Sequence, residues 1–391
     1  MERKDKEHPS VAHLSFSGDF GGREKVVLQL IRGMRGKGDP GLGYFFIEKR
    51  AGQLRNTHLL SALVGLENKL QCFQATGRFS PLLLLKMVKR LKEDGVYVAH
   101  CHCYKSLCYV LLARLLRLWR GRVCFTLHGL LLGTGFSADV IRLGQGLGMR
   151  MADGIIGCSE EILASSVPVE WQKKQVVIIN AIETSFASYH DVMGARRRAR
   201  QEIVARFNLR EDDCIVINVG RLTAQKNFSL FLRLIEQRKK KGGDVCRYLI
   251  VGNGELHESL VAEAYDRKVD DRLVFTGFVQ DMEQIYLGAD LLVQTSVWEG
   301  TPMCLLEARS CALPVIAPDV GGNGGVITSG RDGFLYPEGD LSRLARLFEK
   351  YMQDKNLMVD HGGCGFNDTL ARFTIDDWIK KHFRFYARLG K

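Results

Sequence analysis

Two glutamates stand eight positions apart in the segment WEGTPMCLLEARS, Trp298 to Ser310: Glu299 before a Gly-Thr-Pro step and Glu307 after it. The Thr-Pro pair predicts a helix start, with Thr301 as the capping residue and Pro302 at the first helical position, where no N–H is required. The first turn of such a helix presents unpaired N–H donors. Glu307 falls about 7–8 Å along the axis at about 1.5 Å per residue. The two carboxylates can therefore accept from hydroxyls at two points of one ligand while N–H groups hold an anion between them. Arg221 and Lys226, in NVGRLTAQKN, supply a planar guanidinium fork and a compact ammonium, a pair suited to clamping a diphosphate. A ligand with hydroxyls at both ends and a diphosphate between is a nucleotide sugar. The plainer alternatives are a solvated helix glutamate and two exposed basic residues in a loop.

Weaker signals lie at other strand ends. SGDFGGREKVV holds Gly18, Gly21 and Gly22 before a helix, an arrangement that favours a phosphate or other anion, or serves only chain reversal. LIVGNGELHESL repeats the device with Gly252 and Gly254, and VFTGFVQ ends at Gly277, where bare backbone can pair with a flat base edge. The stretch SGDFGGREKVV is not GxGxxG, and no GxxxxGK[ST] occurs in the chain, which weakens dinucleotide oxidoreductase and P-loop readings. The run His100-Cys101-His102-Cys103 resembles a metal cluster. As the end of a strand it sends alternate side chains to opposite faces, so the four cannot converge on one ion, and no metal is expected.

These residues must be held by a scaffold of repeated βα units. Short apolar runs (VAHLSF, GYFFIEK, VYVAHC, RVCFTLH, DGIIGCS, VVIIN, then CIVINVG, CRYLIVG, RLVFTGF, DLLVQTS, LPVIAPD) alternate with amphipathic segments such as GGREKVVLQLIRGM. Continuous apolar runs of this kind suit parallel strands covered on both faces. At 391 residues, with 46% hydrophobic and 25% charged content, the chain has room for two full cores. The expected fold class is α/β: two Rossmann-like doubly wound domains facing each other across a cleft, with ligands beyond the carboxyl ends of the strands. Expected boundaries are residues 1–186, 187–372 and a C-terminal helix 373–391, packing back on the first domain, with the junction near 184–190.

The start MERKDKEHPS is charged and shows no secretory core, and eleven irregularly spaced cysteines without a CxxC pair suit a reducing cytoplasm. Residues 1–183 carry 26 Lys+Arg against 16 Asp+Glu, whereas 184–391 carry 29 against 28. Nearly all the excess of +11 therefore sits in the first half, which predicts an anionic partner there. FSPLLLLKMVKRLKEDG interleaves leucines with Lys86, Lys89, Arg90 and Lys92 and fits either contact with an anionic membrane or an ordinary helix with a solvated basic face.

With these pieces in order, the chain resembles the GT-B-fold retaining glycosyltransferases of glycosyltransferase family 4. The resemblance runs from GGREKVVLQL through FTLHGL, GIIGCSEEI, VGRLTAQKN and FTGFV to EGTPMCLLEARSCALPVIAPDVGGNGGVI, where Glu299 and Glu307 form the family's paired-glutamate signature. It implies that Gly21 and Gly22 lie near the donor diphosphate and acceptor, and that His128 lies near the donor sugar. It implies Arg221 and Lys226 on the diphosphate, with Gly252 in a donor-side turn. Glu299 then stands beside the sugar, the backbone of Gly300, Thr301, Pro302 and Met303 lines sugar and phosphate, Glu307 holds the ribose, and Phe278 and Val279 pack the base. The implied catalytic group is Glu299, Arg221, Lys226 and His128. Two departures, Gly324-Gly325 where the family often has Pro-Glu and NAIET in place of the commoner Asn-Gly-Ile-Asp, bear on donor sugar selectivity.

The implied activity is transfer of a hexose, from a UDP-linked donor, to a glycan or lipid-linked acceptor in cell-envelope polysaccharide or lipopolysaccharide synthesis. No metal or other cofactor is implied; the nucleotide sugar is a co-substrate. The expected partners are that donor, an anionic glycan or lipid-linked acceptor, and an anionic membrane surface contacted peripherally from the cytoplasmic side. Competing readings are a sugar-nucleotide epimerase, a glycoside phosphorylase, a small-molecule glycosyltransferase and a non-catalytic glycan-binding protein. The lack of a basic, aromatic-interleaved segment argues against nucleic acid.

Overall fold

The structure, a computed structural model, describes residues 10–17, 21–37, 41–48, 70–75, 79–129, 136–242 and 245–389. It divides into two units, residues 1–181 with 375–391, and residues 182–374.

The first unit is built on a parallel sheet of β1 (Val11–Ser17), β2 (Leu42–Glu48), β3 (Leu70–Ala75), β4 (Val98–Cys101), β5 (Arg122–Leu127), β6 (Gly154–Gly157) and β7 (Gln175–Val177). Their spatial order is β3-β2-β1-β4-β5-β6-β7, so the direction of winding reverses between β1 and β4. A crevice at such a reversal is where doubly wound sheets bind ligands. β4 is buried along its whole length, and the helix Gly22–Arg35 lays the expected stripe of Val26, Val27, Leu30, Ile31 and Met34 into the core.

The second unit repeats the plan with β8 (Cys214–Val219), β9 (Cys246–Val251), β10 (Leu273–Gly277), β11 (Leu291–Val293), β12 (Val315–Pro318) and β13 (Phe334–Tyr336). The order β10-β9-β8-β11-β12-β13 reverses between β8 and β11. Two strands, β3 and β13, fall outside the eleven apolar runs. Both sit at sheet edges, β3 carries Gln71, exposed Cys72 and Gln74, and β13 is only three residues long. An edge strand covered on fewer sides has no need of a continuous apolar run.

The helix Ile375–Leu389 belongs with the first unit. It approaches closely because Gly33 and Gly154 have no side chain: a Cβ at Gly33 would lie 2.8 Å from Ile379, and one at Gly154 2.8 Å from Phe385. Lys37 and Asp376 add an ion pair at 3.0 Å. The junction lies a few residues before the expected 184–190, because the Ile182 N–H already donates to the Phe373 carbonyl at 3.0 Å, joining the two chain crossings inside the second unit.

In the helix Pro81–Glu93, Ser80 caps the Leu83 N–H and Leu83, Leu84, Met87, Val88 and Leu91 are buried. Its other face exposes Leu82 and Leu85 (62% and 55%) beside Lys86 and Lys89, with Phe79 exposed just ahead. Among the described residues no helix is long and apolar enough to cross a membrane.

Candidate active site

In the second unit the site residues gather where the sheet reverses. After β8 the chain passes Gly220 and exposed Arg221 into a short 3-10 turn, Ala224–Lys226, which ends at Asn227 in the left-handed region. After β11 it runs through Gln294, Thr295 and Ser296, all essentially inaccessible, to Glu299 at 5% exposure. Lys226 Nζ donates to Glu299 Oε1 at 2.5 Å. The same oxygen accepts from Ser296 Oγ at 2.6 Å and Gln294 Nε2 at 3.2 Å. Burial lowers the pKa of the Lys226 ammonium, but the adjoining Glu299 carboxylate more than offsets this, and the net shift is upward. The site thus holds a charged, nearly dry pair that an anionic or hydroxyl-bearing ligand can meet without reorganising it.

The support of Glu299 was not read from the sequence. Asn323 Nδ2 donates to Gln294 Oε1 and to the Pro318 carbonyl, both at 2.8 Å, fixing the amide so that its NH2 faces the glutamate. Gly321, at φ +53°, lies under Glu299: a Cβ there would be 1.8 Å from the Glu299 carbonyl oxygen. The usable signal was the polar run Gln294-Thr295-Ser296 finishing an apolar strand, since polar groups that far into a core must have partners.

The helix Met303–Ser310 begins one residue later than expected. Pro302, not Thr301, is the capping residue, and no side chain caps the first turn. Pro302 lacks an N–H but offers its carbonyl to Leu305 at 3.2 Å. Thr301, Pro302 and Met303 are buried beside Gly300, and Glu307 lies in the helix, accepting from Tyr286 O–H at 2.8 Å. Burial, with the Glu307 charge, pushes the Tyr286 phenol up, which keeps it a donor. Arg309 anchors the helix from within, wholly buried against Asp332 at 3.1 Å and Asp368 at 2.7 Å. At the neighbouring strand ends Gly252, at φ +138°, donates to the Gly277 carbonyl, and a Cβ on it would lie 2.0 Å from Gly220 O. Beyond Gly277, Phe278 is 42% exposed and Val279 buried.

In the first unit Gly18 lies outside the described residues. Gly21 caps the helix Gly22–Arg35 in an extended conformation, and its N–H is taken by Glu24 Oε2 at 3.1 Å rather than left for an anion. The expectation for His100–Cys103 concerned that run alone and did not reckon with a neighbouring strand. His100 and His102 share one face of the strand, and β1 in register brings His13 opposite His100. The ring nitrogens of His13, His100 and His102 lie within 4.8 Å of one another, a grouping able to hold a metal ion. The alternation argument excludes four ligands from one run but not two joined by a third from the neighbouring strand. His102 Nδ1 continues at 2.9 Å to Nε2 of half-buried His128.

Residues 20–186 match the family described as Glycosyltransferase Family 4, and residues 199–362 that described as Glycosyl transferases group 1. Two parallel-sheet Rossmann-like domains of this kind define the GT-B class of glycosyltransferase. Within that class the chain belongs to glycosyltransferase family 4.

It is 31% identical over 190 residues to the UDP-Gal:alpha-D-GlcNAc-diphosphoundecaprenol alpha-1,3-galactosyltransferase of Escherichia coli, over 45% of this chain and 49% of that protein. To the amylovoran biosynthesis glycosyltransferase AmsK of Erwinia amylovora it is 29% identical over 161 residues, 38% and 39% of the two chains. The matched segments thus span half or less of these curated relatives. The crystal structure of Anabaena Alr3699/HepE in complex with UDP and glucose has the same fold, with a TM-score of 0.80 at 19% identity over 97% of this chain and 100% of that one.

Proposed function

We propose that this chain transfers a hexosyl group from a UDP-linked sugar to a hydroxyl of a glycan or lipid-linked acceptor in cell-envelope polysaccharide or lipopolysaccharide synthesis, with retention at the anomeric carbon. The observation that carries the reading is the buried Lys226–Glu299 pair at 2.5 Å, standing at the reversal of the second sheet beside the helix that bears Glu307. In this reading Arg221 and Lys226 meet the diphosphate and stabilise the charge that develops as it leaves, preorganised electrostatic stabilisation. Glu299 faces the sugar, Glu307 accepts from the ribose hydroxyls, Phe278 and Val279 pack the base, and His128 is assigned to the sugar. The anomeric carbon–phosphate oxygen bond breaks, the acceptor oxygen bonds to the same face, and the acceptor proton passes to the departing phosphate. No protein base and no metal ion is required for that step.

The names of similar proteins support the donor and acceptor classes: one is a galactosyltransferase with UDP-Gal as donor and a diphosphoundecaprenol-linked GlcNAc as acceptor, another serves amylovoran biosynthesis, and the solved neighbour carries UDP and glucose. Peripheral membrane contact on the cytoplasmic side is supported by Leu82, Leu85 and Phe79, exposed beside Lys86 and Lys89, an apolar and basic combination suited to an anionic bilayer surface. The deciding experiment is a nucleotide-sugar panel read by nucleoside diphosphate release, with and without chelator and with lipid-linked and soluble acceptors. Release with a UDP-hexose that survives chelation is expected; no release with any donor sinks the transferase reading. Failure to co-sediment with anionic vesicles at low salt sinks the membrane part.

A further inference from the structure

One loop of the second unit holds Glu299 at both ends. The Gly322 N–H donates to the Glu299 backbone carbonyl at 3.3 Å, and the next residue, Asn323, reaches the carboxylate through Gln294. The polarity of that route is fixed at its two ends. The Pro318 carbonyl can only accept, so Asn323 must turn Nδ2 towards it, and the second hydrogen of the same nitrogen goes to Gln294 Oε1. The Glu299 carboxylate, ion-paired with Lys226, also only accepts, and it takes a Gln294 Nε2 hydrogen at 3.2 Å. The other Nε2 hydrogen meets Cys304 Sγ at 3.4 Å. A reversed Gln294 would set its oxygen against the carboxylate and its NH2 against that of Asn323. One orientation alone is free of repulsion.

For stability, Asn323 is a poor choice. It is 0% exposed, and among the described residues its Oδ1 has no hydrogen-bond partner. An unpartnered buried amide oxygen is destabilising, and an apolar side chain of similar shape would avoid that cost. Gln294, essentially inaccessible at the end of apolar β11, is as much out of place by the same measure. A pair that breaks the rule of an apolar core marks a place shaped by function. The three donors on Glu299, from Lys226, Ser296 and Gln294, all meet Oε1, and no described residue donates to Oε2. We propose that Asn323 is a positioning residue that acts through Gln294: it keeps the Gln294 amide donating to Glu299 Oε1, which leaves Oε2 to the ligand. This rests on Glu299 facing the donor sugar, as read above. Without Asn323 the Gln294 amide is free to turn about its last bond. Its oxygen then competes with its NH2 for the place beside Glu299, and the carboxylate loses its fixed orientation.

The test uses Asn323→Leu, Gln294→Met and the two together, each change replacing an amide by an apolar group of similar shape. In ligand-free protein the Gln294 side-chain amide, identified in nitrogen-15 NMR by its loss in Gln294→Met, should be protected from solvent exchange. Asn323→Leu should speed that exchange on the order of tenfold, and an amide indifferent to it overturns the proposal. In donor turnover Asn323→Leu should lower kcat on the order of tenfold, the worth of one hydrogen bond to a charged group, with donor KM little changed. Gln294→Met should lower kcat at least as far, and the double variant no further than Gln294→Met alone, since Asn323 then has nothing to act through. The double variant should also withstand more denaturant than either single one, because it leaves no amide unpaired, so it still reports if Asn323→Leu folds poorly. Wild-type kcat in Asn323→Leu overturns the proposal, for the pair then only fills the core. Losses that multiply in the double variant overturn it too, for Asn323 then acts independently of Gln294. If no donor is turned over, the proposed function fails, while amide exchange still decides whether Asn323 holds Gln294.

Discussion

Acidification should unfold the first unit well before its carboxylates titrate. Burial holds His13 at about 3, His128 at about 3 (with the Arg23 charge adding to the effect) and His382 at about 4, against 6.5 for a free ring. His100 and His102 are lowered in the same direction, by burial first and then by the neighbouring rings. The folded unit keeps these rings neutral, while the unfolded chain takes up protons once the pH falls below about 6.5, so stability is intact above that pH and declines beneath it. For each ring the loss at about pH 5 relative to neutrality is about 2 kcal/mol, and for the three together roughly 6 kcal/mol. A total stability of about 5–15 kcal/mol cannot absorb much more than that. The assay is urea denaturation at neutral pH, about pH 6 and about pH 5, with hydrogen exchange of β1, β4 and β5 to localise the change. The midpoint should fall steadily, with a loss of unfolding free energy of roughly 2 kcal/mol at about pH 6. A first unit equally stable at neutrality and at about pH 5 would refute the reasoning, since it would mean that these rings are solvated or already charged.

Other substitutions probe the second unit. Glu299→Gln keeps the shape but removes the charge from Lys226 and should slow transfer by about 10²–10³-fold with little change in donor KM, whereas Glu307→Ala should chiefly raise donor KM, by about tenfold. Two variants of wild-type kinetics would leave Glu299 a structural ion-pair partner of Lys226 and Glu307 an ordinary helix residue. Gly321→Ala meets the Glu299 carbonyl at 1.8 Å in a backbone conformation with φ +53°, so it should displace Glu299 and reduce kcat while the second unit still unfolds cooperatively. Arg309→Met takes the buried cation from Asp332 and leaves Asp368 only Arg372, at 3.0 Å, and should cost about 3–5 kcal/mol in a denaturant melt, part of it recovered by adding Asp368→Leu.

Much of this architecture was legible because fully covered parallel strands announce themselves as apolar runs, as β4 and β12 do. The edges β3 and β13 were not, since being covered on fewer sides lets polar residues in or shortens the strand. At the site, residue type and spacing made Glu299, Glu307 and Lys226 candidates beside plainer uses of charge at a helix start, and the resemblance of the surrounding block singled them out. The start itself was misjudged by one residue, as a proline serves both at the cap and just inside it. Gln294 and Ser296 were passed over although a polar run ending an apolar strand marked them, whereas Asn323 was missed because its bond to Gln294 spans 29 residues of chain, something no local pattern encodes. His13 and His102 were likewise hidden, for their meeting depends on the register between β1 and β4.

The return of helix Ile375–Leu389 to the first unit sets an order for biosynthesis. Residues 182–374 form an uninterrupted folding unit that can close as soon as it has left the ribosome. The sheet made earlier must wait, with the seat of Trp378, Ile379, Phe383 and Tyr386 uncovered and His100 lacking the phenol that completes its bonds, until the helix Ile375–Leu389 has been synthesised. A ribosome-stalled chain that stops before Ile375 should therefore carry a finished second unit and a protease-sensitive, chaperone-binding first one, the reverse of the usual N-terminal-first order.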